Sequence, residues 1–343
     1  MSLTLLPLSE TPVHGADLTN ALQQYGGEPE HWLDLSAAIS PYSWWAERGL
    51  MPAANSLRNL PQPVAELAQA CVQYYGHMAL PVPGSQAAIQ ALPRCFAHAR
   101  VWVQADTYAE HAYSWQQAGH SVQELTLAEI RAAFNNGTAL PDLLILVNPA
   151  NPSGECLAAS ELQQWTAQLQ QVGGYVLVDE AFMDCTPEQS VLNIPLAANR
   201  MVLRSLGKFF GLAGLRCGFV FAAESVQQRL QQQLGPWAVN SLALSMAAQV
   251  LRDEAWQQRQ RLRLLRMQEQ VLDTCRLWQL PVLGSTPLFV TFQGEKTQVM
   301  HTQLAQQKIW SRYFPRQQWL RIGMPDPQQW PRLYCALTTL QES

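Results

Sequence analysis

The amino-acid sequence predicts an α/β fold: a large domain with a mostly parallel sheet between helices, followed by a smaller α/β C-terminal domain. Three observations carry this. Five short runs, Val101-Trp102-Val103, Leu143-Leu144-Ile145-Leu146-Val147, Tyr175-Val176-Leu177-Val178, Met201-Val202-Leu203 and Gly218-Phe219-Val220-Phe221, are apolar almost throughout instead of alternating, as in strands covered on both faces. Amphipathic segments separate them, and residues 109–118 and 160–172 read as helices, the second opening on Ser160 as its cap. After about Leu234 the pattern changes to a long helical region reaching about Leu280, then Leu288-Phe289-Val290-Thr291-Phe292 and a short closing β/α segment. The expected organisation is an N-terminal arm over 1–45, a large domain over 46–235 and a small domain over 236–343. In an open parallel sheet, ligands bind beyond the carboxyl ends of the strands.

Composition narrows the function. The 343 residues are 48% hydrophobic and 14% charged with a net charge of −4, which suits a buried soluble core and argues against nucleic acid or an anionic membrane as partner. The segment Met1 to Pro7 has no basic stretch leading into an apolar one, and no run is long enough to span a bilayer, so a cytoplasmic location is expected. Seven cysteines lie far apart without a CxxC pair, and seven histidines show no HExxH; neither a disulfide framework nor a metal site is expected. Frequent glutamines, as in Gln231-Gln232-Gln233, fall in helix-like patterns and read as solvated faces.

Chemistry-bearing motifs follow the predicted strands in order. Pro83-Gly84-Ser85-Gln86 reads as a loop entering a helix, where free N–H groups and the Ser85 hydroxyl can hold an anion. Asp106-Thr107-Tyr108 follows the first run and offers a ring that can stack on a planar ligand. Asn148-Pro149-Ala150-Asn151-Pro152-Ser153-Gly154 forces a rigid turn that holds the Asn151 amide at the sheet edge. Asp179 ends an apolar run, where a carboxylate is costly unless it meets a cation. Ser205-Leu206-Gly207-Lys208-Phe209-Phe210-Gly211-Leu212-Ala213-Gly214-Leu215-Arg216 places one lysine among small and apolar residues, with Ser205 before it and Arg216 after it. Such a lysine loses solvent, its pKa falls and its amine can condense with an aldehyde, while the serine and arginine can hold a phosphate. Each motif also has a plain reading as a cap, a turn, a packed ring or a loop. Their succession, each beside a predicted strand end, suggests pyridoxal phosphate.

At this point the chain resembles the fold-type I pyridoxal-phosphate enzymes of the class I/II aminotransferase family. NPANPSG, VDEAF and SLGKFFGLAGLRCGF match its asparagine, aspartate and lysine motifs. The nearer resemblance is to the branch of histidinol-phosphate aminotransferases and threonine-phosphate decarboxylases of cobalamin synthesis, and within it His14-Gly15-Ala16-Asp17-Leu18, Tyr25-Gly26, Trp32-Leu33-Asp34-Leu35-Ser36 and Pro83-Gly84-Ser85-Gln86-Ala87-Ala88-Ile89 look like the decarboxylase type. The resemblance implies that Lys208 binds pyridoxal 5′-phosphate covalently. Asp179 would pair with its ring nitrogen, Asn151 would meet its phenolic oxygen and Tyr108 would stack on the ring. Gly84, Ser85, Gln86, Ser205 and Arg216 would hold its phosphate. Arg321, in Trp319-Leu320-Arg321-Ile322-Gly323, would grip the substrate carboxylate. Arg312 matches an arginine associated with the substrate phosphate, with a solvated surface arginine as the alternative, and His14 joins the substrate-binding set.

The implied function is decarboxylation of a phosphorylated amino acid, L-threonine O-3-phosphate, by a homodimer. Transamination of such a substrate and a non-catalytic role in cobalamin assembly are the alternatives. A nucleotide site is not expected, because GKFFGLAG lacks both GxGxxG and Walker spacing. Two departures from the family pattern stand out: Phe182 replaces a tyrosine that bonds the phenolic oxygen, and Leu60 replaces one that reaches the cofactor phosphate across the dimer.

Overall fold

Among the described residues a seven-stranded, a four-stranded and a two-stranded sheet form, and the largest sets the position of the motifs from Gly84 to Arg216. The structure, a computed structural model, describes residues 11–12, 14–49, 58–137 and 139–340; the Met1 to Pro7 reading lies outside them. The strands are β1 Leu33–Asp34, β2 Leu80–Val82, β3 Arg100–Gln104, β4 Ser121–Leu125, β5 Leu143–Val147, β6 Tyr175–Asp179, β7 Arg200–Ser205, β8 Gly218–Phe221, β9 Val282–Thr286, β10 Phe289–Gln293, β11 Ile309–Trp310, β12 Arg312–Phe314 and β13 Trp319–Gly323. The large sheet runs β2-β8-β7-β6-β5-β3-β4. From β4 through β7 every pairing is parallel, and β8 alone runs against its neighbours β7 and β2.

The apolar runs are explained by the two cores. Successive strand residues point to opposite faces. Leu144, Leu146, Val176, Val178, Val202, Phe219 and Phe221 fill one core, while Leu143, Ile145, Leu177, Met201, Leu203 and Val220 fill the other. With both faces covered, no polar alternation survives. At the edge, β4 is Ser-Val-Gln-Glu-Leu and mostly half or fully exposed, and its sequence therefore carries no buried-strand signal.

The 160–172 segment departs from expectation at its start. The helix spans Ala159–Gln171, its N-cap is Ala158 without a side-chain capping bond, and Ser160 sits inside the first turn. Just ahead of the helix, Asn148 Oδ1 accepts from Leu157 N at 2.8 Å and Asn148 Nδ2 donates to Leu157 O at 3.3 Å, which fixes the incoming chain. The long helical region is two helices, Ser241–Arg252 and Glu254–Leu277, broken at Asp253, whose carboxylate accepts from Trp256 N and Arg48. The first of them and the start of the second share the core on one face of the large sheet, through Ala243, Ala247, Leu251, Trp256 and Leu264. The remainder of Glu254–Leu277 packs on the small antiparallel sheet β12-β13-β10-β9 through Met267, Val271 and Cys275.

The N-terminal segment is tied to the small sheet. β1 pairs in parallel with β11, and Gly323 N donates to Leu35 O at 2.7 Å. Gly15 is needed where this segment crosses Ser36, since a Cβ there would lie 2.6 Å from Ser36 O. Among the described residues, no helix is long and apolar enough to cross a membrane.

Candidate active site

The sheet's direction gathers the motifs. Tyr108 follows β3, Asn151 follows β5, Asp179 ends β6, and Ser205 ends β7 just before Lys208. Because β8 is antiparallel, its start, next to Arg216, lies at this same edge, and β2 ends there before Gly84 and Ser85. Two adjoining cavities open at the edge, and Tyr108 and Asn151 line both.

The inner cavity, about 150 Å³, is bounded by Ser85, Asp179, Phe182, Ser205, Lys208 and Arg216 among others. Lys208 Nζ donates to Ala37 O at 3.3 Å and lies 5.2 Å from the centre of the Phe182 ring. Loss of solvent, with the nearby Arg321 adding to it, brings its pKa down to about 8, and Asp179 opposes the shift. Asp179 is 3% exposed; Oδ1 accepts from Ala181 N at 3.0 Å, and Oδ2 lies 2.9 Å from His111 Nε2. Arg216 sits in the left-handed region at φ 52° and donates to Ala213 O at 3.3 Å. Gly84 sits at φ +76°, a conformation other residues adopt under strain, and a Cβ there would lie 2.7 Å from Arg216 Nη2 and push the guanidinium aside.

These groups fit pyridoxal phosphate. A neutralisable amine, a buried carboxylate for a protonated ring nitrogen, a tyrosine at the wall, and serines with an arginine for a phosphate all face one small space. Phe182 brings no hydroxyl. It presents a ring to the Lys208 ammonium and packs edge-on against Phe289 at 5.3 Å.

The outer cavity, about 460 Å³, is lined by His14, Arg312, Arg316 and Arg321 as well as Asp106 and Glu124. Arg321 rises from β13, directly opposite Arg312 on β12. Although 5% exposed, Arg321 pairs with no carboxylate among the described residues: Nη1 donates to Asn151 Oδ1, Nη2 donates to Ser36 O, and Nε has no partner among them. Burial and the neighbouring Arg312 push its pKa down, as expected of a cation held without a counter-charge. A substrate carboxylate would supply that charge. With Oδ1 of Asn151 taken, its N–H2 is the group left for the inner cavity.

The residues expected from sequence line these cavities except Gly84, which lines neither and lies against the Arg216 guanidinium. Sequence reasoning missed four more. His111 buttresses Asp179 from within the Glu110–Gln117 helix, and its signal, a histidine three residues after the stacking tyrosine, is visible only once both are known to face one cavity. Ala37 acts through its carbonyl, which no side-chain pattern reveals. Arg316 lines the outer cavity from an exposed turn, and Glu110 is buried between His14 and Gln86.

Comparison with known proteins agrees with the geometry. Residues 39–337 match the aminotransferase class I and II family. A threonine-phosphate decarboxylase of Pseudomonas aeruginosa is 40% identical over 96% of this chain and 98% of its own length. Among solved structures, L-threonine-O-3-phosphate decarboxylase from Porphyromonas gingivalis aligns with a TM-score of 0.77 at 21% identity, covering 91% of this chain and all (100%) of that one. Histidinol-phosphate aminotransferase from Sinorhizobium meliloti, in complex with pyridoxal-5′-phosphate, aligns at 0.77 with 18% identity, covering 98% and 95%.

Proposed function

We propose, for a chain that belongs to the class I and II aminotransferase family, that it decarboxylates L-threonine O-3-phosphate to (R)-1-amino-2-propanol O-2-phosphate in cobalamin biosynthesis, with pyridoxal 5′-phosphate as cofactor. The observation that carries the reading is the outer cavity. It gathers Arg321, Arg312 and Arg316, positive charge for a carboxylate and a phosphate on one small substrate, with the His14 ring at the same wall, beside a lysine whose pKa is lowered. The similarity to a decarboxylase along nearly the whole chain supports CO2 release over transamination.

When bound, the cofactor offers an electron-accepting ring to the bond being broken. The protein's part is positional. Ser85, Ser205 and Arg216 would hold the cofactor phosphate, Tyr108 would face its ring, and Asp179, kept in place by His111, would pair with its ring nitrogen. Arg321 fixes the substrate carboxylate, and Arg312 and His14 take the phosphate. Cleavage of the bond from Cα to the carboxylate leaves its electron pair on the Cα side. A proton from Lys208 Nζ then completes Cα, a transfer favoured by a pKa near the working pH.

Incubation with L-threonine O-3-phosphate, following CO2 and keto acid separately, tests this. CO2 with aminopropanol phosphate is expected; keto acid without CO2 makes the protein an aminotransferase. Neither product, together with no cofactor absorbance, leaves the non-catalytic reading.

A cytoplasmic homodimer belongs to the same proposal. All seven cysteines are unpaired, which suits a reducing compartment. Trp237, 57% exposed, lines a groove with Val64, Leu67 and Leu244, and Leu60, also 57% exposed, precedes its lining residue Pro61, an apolar face for a second copy. Leu60→Tyr is expected to tighten cofactor binding about tenfold by adding one charge-assisted hydrogen bond across the dimer. Titration of the apoprotein measures it, and an unchanged or higher dissociation constant refutes the contact.

A further inference from the structure

We infer that Glu110 is a positioning residue shared by the two cavities: its carboxylate fixes His14 at the wall of the outer one and, through Gln86, the Tyr108 ring at the wall of the inner one. The inference rests on the substrate reading above for the role it gives His14.

Glu110 is a buried anion, its side chain 5% exposed. Its Oε1 lies 2.8 Å from His14 Nε2 and its Oε2 accepts from Gln86 Nε2 at 2.6 Å. Gln86 Oε1 in turn accepts from the Tyr108 hydroxyl at 2.9 Å. A carboxylate buried at this depth is costly, and its place in the first turn of the Glu110–Gln117 helix offsets part of the cost. What it brings is direction. An ionised carboxylate only accepts, so both neighbours must turn a donor toward it. Gln86 therefore points its N–H2 at Glu110 and its oxygen at Tyr108, while His14 carries its proton on Nε2. The His14 carbonyl accepts from Arg312 Nη1 at 3.3 Å, so His14 is held on two sides, once by its ring and once by its backbone.

Glutamine at position 110 keeps the size and loses the direction. Its amide has one acceptor and one donor end, so either Gln86 turns over and faces Tyr108 with N–H2, or His14 becomes the acceptor. Alanine at 86 cuts the Tyr108 branch alone.

The test uses holoenzyme of the native sequence, Glu110→Gln, His14→Ala, their double variant and Gln86→Ala, with thermal unfolding confirming that each is folded. Glu110→Gln should raise KM for L-threonine O-3-phosphate, and the calorimetric Kd for inorganic phosphate, about tenfold while kcat falls less than about threefold, as for one charge-assisted bond. In the His14→Ala background the same change should add less than about twofold, since the two act as one unit. The absorbance maximum of the bound cofactor should shift in Glu110→Gln and Gln86→Ala but not in His14→Ala. Full additivity with His14→Ala, an unmoved phosphate Kd, or an unmoved spectrum in Glu110→Gln overturns the shared role. Failure of the substrate reading shows separately, as absence of CO2 from the native enzyme, and the phosphate Kd and spectra still decide the role of Glu110.

Discussion

Lys208→Ala is expected to lower kcat by at least about 10⁴-fold, because it removes the amine and the proton carrier together, and acid–base catalysis alone is worth 10²–10⁴. The variant should take no covalent label when cofactor and borohydride are added, whereas the native chain should be labelled at Lys208. Folding should not suffer. The folded-state pKa of Lys208, about 8, lies below the ordinary lysine value of 10.5, so the fold binds this proton less tightly than the unfolded chain does. Below pH 8 both states are protonated and the whole cost of holding the buried charge is present. As the pH rises from 8 toward 10.5 that cost disappears. In the apoprotein, Lys208→Ala should thus unfold at the same temperature as the native chain or higher at pH 7, with the difference narrowing toward pH 10. A variant clearly less stable at pH 7 would show that the bond to Ala37 outweighs the buried charge.

What the sequence revealed of this site follows from where each residue acts. Asp179, Asn151, Lys208 and Arg216 lie within a few residues of a strand end, so an apolar run beside a polar residue marks them locally. The parallel sheet was legible for the same reason: burial on both faces writes itself into each strand. Glu110 and Ala37 were not, because their roles depend on residues far away in the chain, His14 for the one and Lys208 for the other. The reversed direction of β8 left no trace either, since an apolar strand reads alike both ways, yet that reversal brings Arg216 to the site. The misread cap at Ser160 has a comparable cause. Asn148, nine residues before Leu157, fixes the chain ahead of the helix, so the helix start does not follow the nearest residue of capping type.

Arg204→Met should cost the fold about 3–5 kcal/mol, the range for removing one member of a buried ion pair, and midpoints in urea would measure it. Arg204, 2% exposed on β7, lies 3.2 Å from Glu180 Oε2 and donates to Asp184 Oδ1 at 3.0 Å and to Ser190 Oγ at 3.0 Å, with its guanidinium over the Tyr75 ring. Both carboxylates are fully buried. Burial raises their pKa values and Arg204 is the strongest force pulling them back down, so without it they rise further. A carboxylate that binds its proton more tightly in the fold than in the unfolded chain destabilises the fold progressively as pH climbs from the unfolded value through the folded one. The deficit of Arg204→Met should accordingly be smallest near the ordinary carboxylate values of 3.8 and 4.5 and grow as the pH rises above them. Methionine also refills the volume, so an empty space cannot account for the loss. The consequence reaches the site, because Glu180 follows Asp179 and is itself tied down by Ser190 Oγ and Val191 N. An Asp179 carboxylate set loose from that anchor should hold the cofactor less tightly. A variant with unchanged urea midpoints at pH 8 would mean that Arg261, whose Nε donates to Asp184 O at 3.1 Å, neutralises the pair without Arg204.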